Sequence, residues 1–292
     1  MIKILFIANP TSEVIDKTDT VSLISGFADK YNFKWELYYT EQYDADIKIR
    51  KKIKVFNPDI VVAAGGDGTV NQVATALVYS QIEMGIIPAG SANGLAYNLG
   101  IPSDMSEALQ FILESNAKPV DVIHLNKNIY CCHLSDIGIN ARIVKRFEQE
   151  GSKGLPGYGK QMLKELLSKR THFSFNLKTP SLNKRFSAEM LVMANARSFG
   201  TGAVINPAGK LDDGQFEIVI IRPYPWWSLF YLIMMFLFGK SEKLKYVDLI
   251  KTNQADIVLD YSHDLQVDGE IIRDIKSLEV EILPSALKIR YK

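Results

Sequence analysis

A glycine-rich loop joins a short apolar segment to a helical pattern near residue 65. The apolar segment Ile60–Ala64 runs directly into Gly65-Gly66-Asp67-Gly68-Thr69, and apolar residues then recur at helical spacing as far as Tyr79. A buried strand, a tight turn and a helix in this order begin a βα unit of a parallel sheet. Glycines let a ligand approach the backbone closely, and a helix N-terminus directs N–H groups at an anion. The loop therefore predicts an α/β fold with a phosphate site, and Thr69 is the predicted N-cap of the helix.

Asp67 limits the functions that this loop can have. A carboxylate beside bound phosphates is repelled unless it shares a cation with them or accepts a proton. Asp67 therefore predicts Mg²⁺, catalytic chemistry or both. The alternative is a structural strand–helix turn with a capping aspartate. The loop is not a Walker A loop, because no Gly-Lys-Ser/Thr follows it.

A second loop of small residues, Pro88–Gly94, also stands between a strand-like and a helical segment. In an open parallel sheet, successive loops at the carboxyl ends of the strands meet over one crevice. The two loops together predict a nucleotide site, although the second alone would suit an ordinary βα connection.

The chain has 292 residues, enough for two domains of ordinary size. Strand-like and helical patterns alternate in the first part, which predicts a parallel sheet flanked by helices. After residue 121, strand-like runs recur between turn signals, which indicates an antiparallel sandwich or barrel. Helical insertions are predicted at Ala141–Gln149 and Gly159–Lys169, with a glycine-rich loop between them at Gly151–Gly159. We expect an α/β domain at 1–122, onto which 285–292 pack back, and a β-rich domain at 123–284.

Net charge and cysteine content indicate the binding partners and the cellular compartment of the protein. The net charge is +1, so no global field attracts nucleic acid, and we expect no nucleic-acid partner. Cys131 and Cys132 are adjacent, and neighbouring side chains of a strand point to opposite faces, so we interpret both as structural thiols in a reducing compartment. The first residues, Met1–Pro10, have the pattern of a strand rather than of a signal peptide. These features predict a cytoplasmic protein.

The longest apolar run is Trp226–Phe238, shorter than the ~20 residues that a spanning helix needs. Its paired tryptophans and the nearby Lys240, Lys243 and Lys245 are typical of a segment at a membrane interface. Peripheral membrane contact is one interpretation. The others are a core helix, the wall of a lipid pocket and a homodimer contact.

Several motifs together resemble the catalytic domain shared by diacylglycerol kinases, sphingosine kinases and ceramide kinases. The glycine-rich loop alone would also suit NAD kinases and phosphofructokinases, whereas the later motifs favour the lipid kinases. The resemblance covers most of the chain in the right order. Its motifs are Gly65–Val73, Pro88–Ala96, Asn195-Ala196-Arg197 with Gly200-Thr201-Gly202, Leu211–Phe216 and Val267–Glu270.

The resemblance implies a fold and a reaction. The fold is an N-terminal α/β domain with a parallel sheet, like that of NAD kinase and phosphofructokinase, followed by a β-rich antiparallel sandwich that has helical insertions and binds lipid. The reaction is transfer of the ATP γ-phosphate to a lipid hydroxyl at a site between the domains. The nucleotide-binding residues implied for this chain are Asn9, Thr40, Gly65, Gly66, Asp67, Gly68, Thr69, Val70, Asn71, Gln72, Gly90, Ser91 and Asn93.

The general base is implied to be Glu270, although some members of the family assign that role to the residue that matches Asp67. Both assignments stay open, and we prefer Glu270. From the residues alone, Asp268-Gly269-Glu270 is a hairpin turn, because Asp-Gly is a strong hairpin signal. Turn and catalytic roles are compatible.

The turn Leu211–Gln215 has two interpretations. From the residues alone it is a charged turn before the strand Phe216–Ile221. The resemblance implies a structural Mg²⁺ held by Asp213 and by backbone carbonyls of Lys210 and Gln215, with Asp121 and Asp212 nearby. Oxygen ligands from one tight loop suit this hard cation.

The sequence also departs from the family. Thr11–Val14 follow Asn9-Pro10 without the usual glycine and basic residue, and Gly94 follows Asn93 where many diacylglycerol kinases have aspartate. The lipid therefore stays open between diacylglycerol and sphingoid types. Two rival functions remain: an NAD kinase-like enzyme with a soluble substrate, and a non-catalytic nucleotide or lipid sensor.

Overall fold

A computed structural model of the chain describes residues 1–9, 17–40, 45–149, 171–200, 202–240 and 245–292. These residues form two compact units, Met1–Val120 with Ser285–Lys292, and Asp121–Pro284. The predicted loop Gly151–Gly159 and helix Gly159–Lys169 lie outside the described residues, as does the departure at Thr11–Val14.

The first unit is an α/β fold around a parallel sheet. Its strands lie in the order β4-β3-β1-β2, with every neighbouring pair parallel. Strands β1 and β3 are almost continuous runs of buried apolar residues, because helices cover both faces of such a sheet. The elements are β1 Ile2–Ala8, α1 Lys17–Tyr31, β2 Phe33–Tyr39, α2 Ala45–Phe56, β3 Ile60–Gly65, α3 Asp67–Leu77, β4 Glu83–Pro88, α4 Gly94–Asn98 and α5 Met105–Glu114.

The last residues of the chain complete this unit. Ile289 pairs with Met84 of β4 in parallel register. The Arg290 guanidinium donates to the backbone oxygen of Ile112 at 2.7 Å and to the Glu83 carboxylate at 2.5 Å. Residues 285–292 therefore extend the sheet beyond β4.

The second unit is built from antiparallel strands. Its main path runs β12-β11-β10-β7-β13-β14, the hairpin β8–β9 joins at β13, and β5 pairs with β6. The elements, counted from the strand that contains the boundary at Val120, are β5 Ala117–Leu125, β6 Ile129–Cys131, β7 Leu134–Gly138, α6 Ile139–Gln149, β8 Phe173–Thr179, β9 Leu182–Ala188, β10 Met190–Ala194, β11 Phe216–Ile221, a 3-10 turn at Trp226–Ser228, α7 Leu229–Leu237, β12 Val247–Thr252, β13 Gln254–Val267 and β14 Glu270–Arg290.

Two apolar clusters lie on opposite faces of these strands. Leu191 and Met193 of β10 join a large cluster that includes Phe175 and Phe216. The alternate residues of the same strand join a second cluster, against which α7 packs. Strand β10 is therefore buried on both faces, which explains why it is apolar at all five positions, Met190–Ala194.

The sequence pattern predicts one strand over Phe186–Met193, and this prediction is wrong. Strand β9 ends at Ala188, which pairs with Phe173, whereas β10 begins at Met190, which pairs with Ile221 and Gly138. The chain changes partners at Glu189, and the local pattern does not reveal this change because it depends on which distant strands pair with each segment.

Candidate functional site

The residues expected to bind nucleotide in the first unit lie at one edge of its sheet. Asn9 follows the end of β1, and its N–H donates to Ala64 at the end of β3. Thr40 follows β2 and is buried, with its N–H donating 2.9 Å to the backbone oxygen of Ala8. The two glycine loops follow β3 and β4. Parallel pairing thus brings the ends of all four strands to the same edge.

The two glycine loops touch through their backbones. A Cβ atom on Gly90 would lie 2.4 Å from Cα of Gly66, and one on Gly66 would lie 3.2 Å from Cα of Gly90. No side chain fits at Gly90 unless the backbone moves. Because the two loops are in direct backbone contact, the alternative interpretation of the second loop as an ordinary βα connection is weakened.

Helix α3 begins at Asp67, and Gly66 is its N-cap without a side-chain hydrogen bond. The prediction that Thr69 caps this helix is wrong. Thr69 is buried within the first turn, and a Cβ atom on Gly65 would lie 2.4 Å from its hydroxyl oxygen. Because Gly66 has no side chain, the N-cap residue of α3 supplies no side-chain acceptor to the first turn, which suits a site for an external anion.

The second loop is closed by Asn93. Its Oδ1 accepts from the N–H of Gly90 at 2.8 Å, and its Nδ2 donates to the oxygen of Gly90 at 2.8 Å. Asn93 itself has φ of 49°, a left-handed conformation that asparagine tolerates well. Ser91 is exposed at the tip of this closed loop, and Gly94 begins α4 directly after it.

The remaining predicted nucleotide residues continue along α3 from the glycine loop. Asp67 and Gly68 are partly buried, as are Asn71 and Gln72, whereas Val70 is buried. The Val70 N–H donates to the oxygen of Gly66 at 3.0 Å, which is the first hydrogen bond of the helix.

In the second unit, Asp268-Gly269 forms the hairpin turn between β13 and β14 that the sequence predicts. Val267 pairs with Glu270, and both turn residues have positive φ, 46° and 94°. These angles are those of the two-residue turns that connect twisted strands. Glu270 is the first residue of β14, and it is exposed.

Asp268 anchors this hairpin through a buried carboxylate. The side chain is 3% exposed and accepts from three successive backbone N–H groups, at 2.7, 3.0 and 3.2 Å. Its own N–H donates to the oxygen of Leu134 at 3.1 Å. The donors are Cys132, His133 and Leu134. These hydrogen bonds hold the turn in place and so fix the position of Glu270, which is the first residue after it.

Cys131 and Cys132 lie in the segment that supplies these donors. Both are free and buried, and burial raises the pKa of each thiol well above its usual value. The nearby Asp268 carboxylate acts in the same direction. The thiols therefore stay protonated and are not nucleophiles, in keeping with a structural role.

A second buried carboxylate, Asp136, contacts the base of the same hairpin. Asp136 Oδ2 accepts a hydrogen bond from Asn140 Nδ2 at 2.6 Å. The Gln266 amide is oriented so that its Nε2 donates to the same Asp136 oxygen at 2.9 Å. Its oxygen then accepts from the N–H of Gly269 at 2.5 Å. Burial raises the pKa of Asp136 to about 7, although hydrogen bonds from Asn140 and the Ala141 backbone oppose the shift. Among the described residues, no donor reaches Oδ1 of this carboxylate.

We expect the stability of the protein to depend on pH through Asp136. Its pKa is about 7 in the folded state, against roughly 3.9 in an unfolded chain. Since the folded state holds the proton more tightly, the contribution of Asp136 to the free energy of unfolding is fully present below pH ~4 and is lost, by on the order of 2–4 kcal/mol, as pH rises through about 7. Urea unfolding at several pH values should show this fall in the original protein but not in Asp136→Asn. The exposed Asp274→Asn is the matched control, and parallel curves for all three proteins would contradict this assignment.

The turn Leu211–Gln215 is tied to Asp121. The Asp121 N–H donates 2.7 Å to the oxygen of Leu211, and Asp121 Oδ2 accepts from the N–H of Gly214 at 2.7 Å. Asp213 Oδ1 accepts from the N–H of Gln215 at 3.2 Å. Two carboxylates therefore face the backbone of one short loop.

A lysine lies against the same loop. Lys251 Nζ contacts Asp213 Oδ2 at 2.6 Å and the buried Glu217 carboxylate at 3.1 Å. The hydrogen bond that Lys251 donates to Asp213 is the main cause that raises the pKa of Lys251. The loop is thus a place where a positive charge is already stabilised.

Asn195 connects the Asp121 loop with the hairpin. Its Nδ2 donates to the oxygen of Asp121 at 2.8 Å and to the oxygen of Cys132 at 3.0 Å. Cys132 in turn donates to Asp268. A continuous chain of buried hydrogen bonds therefore runs within the second unit from Asp121 to the turn that precedes Glu270.

Comparison with known families identifies the chain. The diacylglycerol kinase catalytic domain family matches residues 3–125. The YegS C-terminal NAD kinase beta sandwich-like domain family matches residues 136–291, more than half of the chain. The chain belongs to the YegS-like lipid kinase family. The prediction of a kinase from this family is thereby confirmed.

Relatives of this YegS-like kinase carry names that agree. A probable lipid kinase YegS-like from Klebsiella pneumoniae (strain 342) is 27% identical over 238 residues, 80% of this chain and 78% of the relative. Another from Chromohalobacter salexigens is 29% identical over 216 residues, 72% of this chain and 69% of the relative.

A solved structure supports the fold of the YegS-like kinase. The crystal structure of a diacylglycerol kinase from Bacillus anthracis str. Sterne is similar, with a TM-score of 0.82 and 22% identity over 99% of this chain and 97% of that chain. This likeness confirms the predicted α/β domain and β-rich sandwich. Within the described part of the YegS-like kinase, no helix is both long and apolar enough to cross a bilayer.

Sequence reasoning missed the residues that hold the site of the YegS-like kinase in place. Asp268 was assigned only to a turn, and the pattern contains no signal for its bonds to a segment about 135 positions earlier. Asp136 and Gln266 are polar residues at buried positions of β7 and β13, and the pattern contains no signal for the bonds that they form. Asn195 was noted as part of a motif, without a role.

Proposed function

We propose that this kinase transfers the γ-phosphate of ATP to a hydroxyl group of a diacylglycerol- or sphingoid-type lipid. The observation that supports the proposal most strongly is the contact of the Gly66 and Gly90 backbones directly before α3. Backbone N–H groups at a helix start, without Cβ atoms in the way, are suited to a phosphate chain. The names of the relatives support a lipid as acceptor.

The phosphates of ATP are proposed to lie on the glycine loops of the first unit. Gly65–Gln72 would supply N–H donors and the Asp67 carboxylate, and Gly90, Ser91 and Asn93 would supply the second wall. Asn9 and Thr40, at the ends of β1 and β2, would line the same edge. Mg²⁺, when bound to the phosphates, offsets their charge, and Asp67 has the carboxylate that such an ion prefers.

Glu270 is the proposed general base. The lipid hydroxyl oxygen forms a bond to the γ-phosphorus, the bond from that phosphorus to the β,γ-bridging oxygen breaks, and ADP leaves with the electron pair. The hydroxyl proton passes to the Glu270 carboxylate. Glu270 suits this role because it is exposed on a turn that the buried Asp268 holds rigid. Asp67 is the alternative base.

A structural Mg²⁺ is proposed at Leu211–Gln215. The donor set fits a hard cation, since Asp213 and backbone oxygens of Lys210 and Gln215 are all oxygen ligands and Asp121 faces the same loop. Within the described ranges no group of three or more His, Cys, Asp and Glu side chains could hold a metal, so backbone ligands are essential to this site. Lys251 would compete with the ion for Asp213.

Chelation is expected to lower the thermal midpoint of the original protein in Mg²⁺ buffer, because bound metal stabilises the folded loop. A loss of about 1–2 kcal/mol corresponds to a drop of roughly 2–8 °C for a unit of this size. Asp213→Ala should start near the chelated value and should not respond to chelator. Asp212→Ala, in the same exposed turn, is the control and should keep the response. An original protein that ignores chelator has no metal here.

The experiment that tests the proposed function is a panel of acceptors with purified protein, radiolabelled ATP and Mg²⁺. Diacylglycerol, sphingosine, ceramide and other hydroxyl lipids are presented in detergent micelles, with NAD as the soluble acceptor. Label should appear in a lipid that contains a free hydroxyl. Label in NAD alone would favour the NAD kinase-like function, and label in no acceptor would overturn the proposal.

A further inference from the structure

We propose that the exposed aromatic residues on α7 and directly beside it, together with two neighbouring lysines, dock this kinase on an anionic lipid bilayer. The docking patch consists of Trp226, Trp227, Tyr231, Phe238, Lys240 and Lys245. The inference deepens the proposed function, because a membrane-borne acceptor requires the enzyme to reach the interface.

The inner face of α7 is already accounted for by packing. Leu232 is 3% exposed and belongs to the cluster around Val192 and Val219, and Met235 and Phe236 pack against the same cluster. Ser228 is buried at the start of the helix. The core-helix interpretation of Trp226–Phe238 therefore holds for one face only.

Large aromatic side chains are exposed to water on this segment of the chain. Trp226 and Trp227 of the 3-10 turn are 79% and 64% exposed, Tyr231 of α7 is 53% exposed, and Phe238, directly after α7, is 67% exposed. Other strongly exposed apolar residues, such as Val55, Tyr79 and Tyr261, are scattered along the chain. Such a concentration within thirteen residues marks an interaction surface.

Two exposed lysines lie near this segment. Helix α7 is closed by a left-handed Gly239 with φ of 64°, and the N–H of Lys240 donates to the oxygen of Met235 at 2.9 Å. This closure fixes the backbone of Lys240, which is exposed, two residues after Phe238. On the other side of the segment, Arg222, which precedes Trp226 by four residues in sequence, donates to the backbone oxygen of Lys245 at 2.6 Å. Lys245 is exposed, whereas the charge of Arg222 is taken up by Asp248 at 3.0 Å.

This combination favours a bilayer over a protein partner. Tryptophan and tyrosine prefer the headgroup region, and flanking lysines bind anionic lipid. Four aromatic side chains at these exposures offer on the order of 500 Å² of surface, less than the roughly 800 Å² per partner of a standard protein interface. A lipid surface needs no matching shape, so a small patch suffices for peripheral attachment.

Vesicle sedimentation without ATP tests the apolar part of the patch. The probe is vesicles of phosphatidylcholine with phosphatidylglycerol, and the variant is Trp227→Ser/Tyr231→Ser, whose exposed positions should leave the fold unchanged. We expect at least a roughly tenfold weaker partition coefficient. Tyr261→Ser, at a more exposed site on β13, is the control and should bind as the original does. Equal binding by the original protein and the double variant would overturn the proposal.

The charged part has its own test. Lys240→Gln/Lys245→Gln should weaken binding about tenfold on the anionic vesicles, and the loss should disappear at high salt. The control is Lys127→Gln in the exposed turn between β5 and β6. Light scattering that shows a dimer in the original protein and a monomer in the Trp227→Ser/Tyr231→Ser variant would instead identify a homodimer contact and overturn the proposal. Because no turnover is measured, these results stand apart from the acceptor panel.

Discussion

Asp67→Asn is expected to lower the turnover of lipid phosphorylation by at least about 10³-fold. The amide has almost the same shape, so α3 and the glycine loop should keep their structure. It removes the charge that shares a cation with the phosphates or accepts a proton. The measurement is kcat at saturating ATP and lipid, with the thermal midpoint as a check that folding is unchanged. Near-normal turnover would mean that the loop has no catalytic function.

Glu270→Gln separates the two candidate bases. If Glu270 accepts the proton, its amide variant should lose roughly 10²–10⁴ in kcat with an unchanged KM for ATP. Asp67→Asn should raise that KM as well, because Asp67 is proposed to act on the nucleotide's metal. If Glu270→Gln retains turnover while Asp67→Asn does not, Asp67 takes over the role of base.

The second large effect is expected from Asp268→Asn. The carboxylate is 3% exposed and accepts three backbone hydrogen bonds. In the asparagine variant an NH₂ group replaces one oxygen, so a hydrogen-bond donor would point at a backbone N–H group, which is also a donor. A loss on the order of 3 kcal/mol would lower the thermal midpoint by about 10 °C. Asparagine tolerates the positive φ of this turn, so backbone strain does not contribute. Circular dichroism melting measures the effect.

The kinase activity of Asp268→Asn, measured at temperatures where the variant is folded, is a second test of this role. Because this carboxylate holds the turn before Glu270, kcat should fall while KM for ATP, which depends on the first unit, should not. Asp274→Asn has the same change at an exposed position with φ of 59°, and it should affect neither quantity. A melting point equal to that of the control would mean that the anchor contributes little.

The sequence predicted those parts of the fold that local patterns determine. Ile2–Ala8 and Ile60–Ala64 are recognisable as strands because parallel strands under helices are apolar throughout, and Asp268-Gly269 is recognisable as a turn because few residues accept its angles. The meeting of the glycine loops was predictable from the rule that strand ends share an edge.

What failed to be predicted depends on distant partners. The helix α3 begins at Asp67, and Thr69 packs against Gly65 instead of capping the helix, a contact that no local propensity contains. The bonds of Asp268 and Asp136 join segments far apart in sequence, so their roles appear only in the fold. Likewise, the sequence of an apolar run such as Trp226–Phe238 does not indicate which of its residues pack against the core.

The return of residues 285–292 to the first unit has a consequence for synthesis of the protein. The edge of that sheet beyond β4 is formed by Ile289, and Arg290 joins it to Glu83 and Ile112. On the ribosome these residues emerge only after the whole second unit has been made. The N-terminal segment must therefore wait with an open sheet edge while the rest is translated, although domains generally fold in order of synthesis. A released chain that ends at Pro284 would have all residues of the second unit and an unfinished first one.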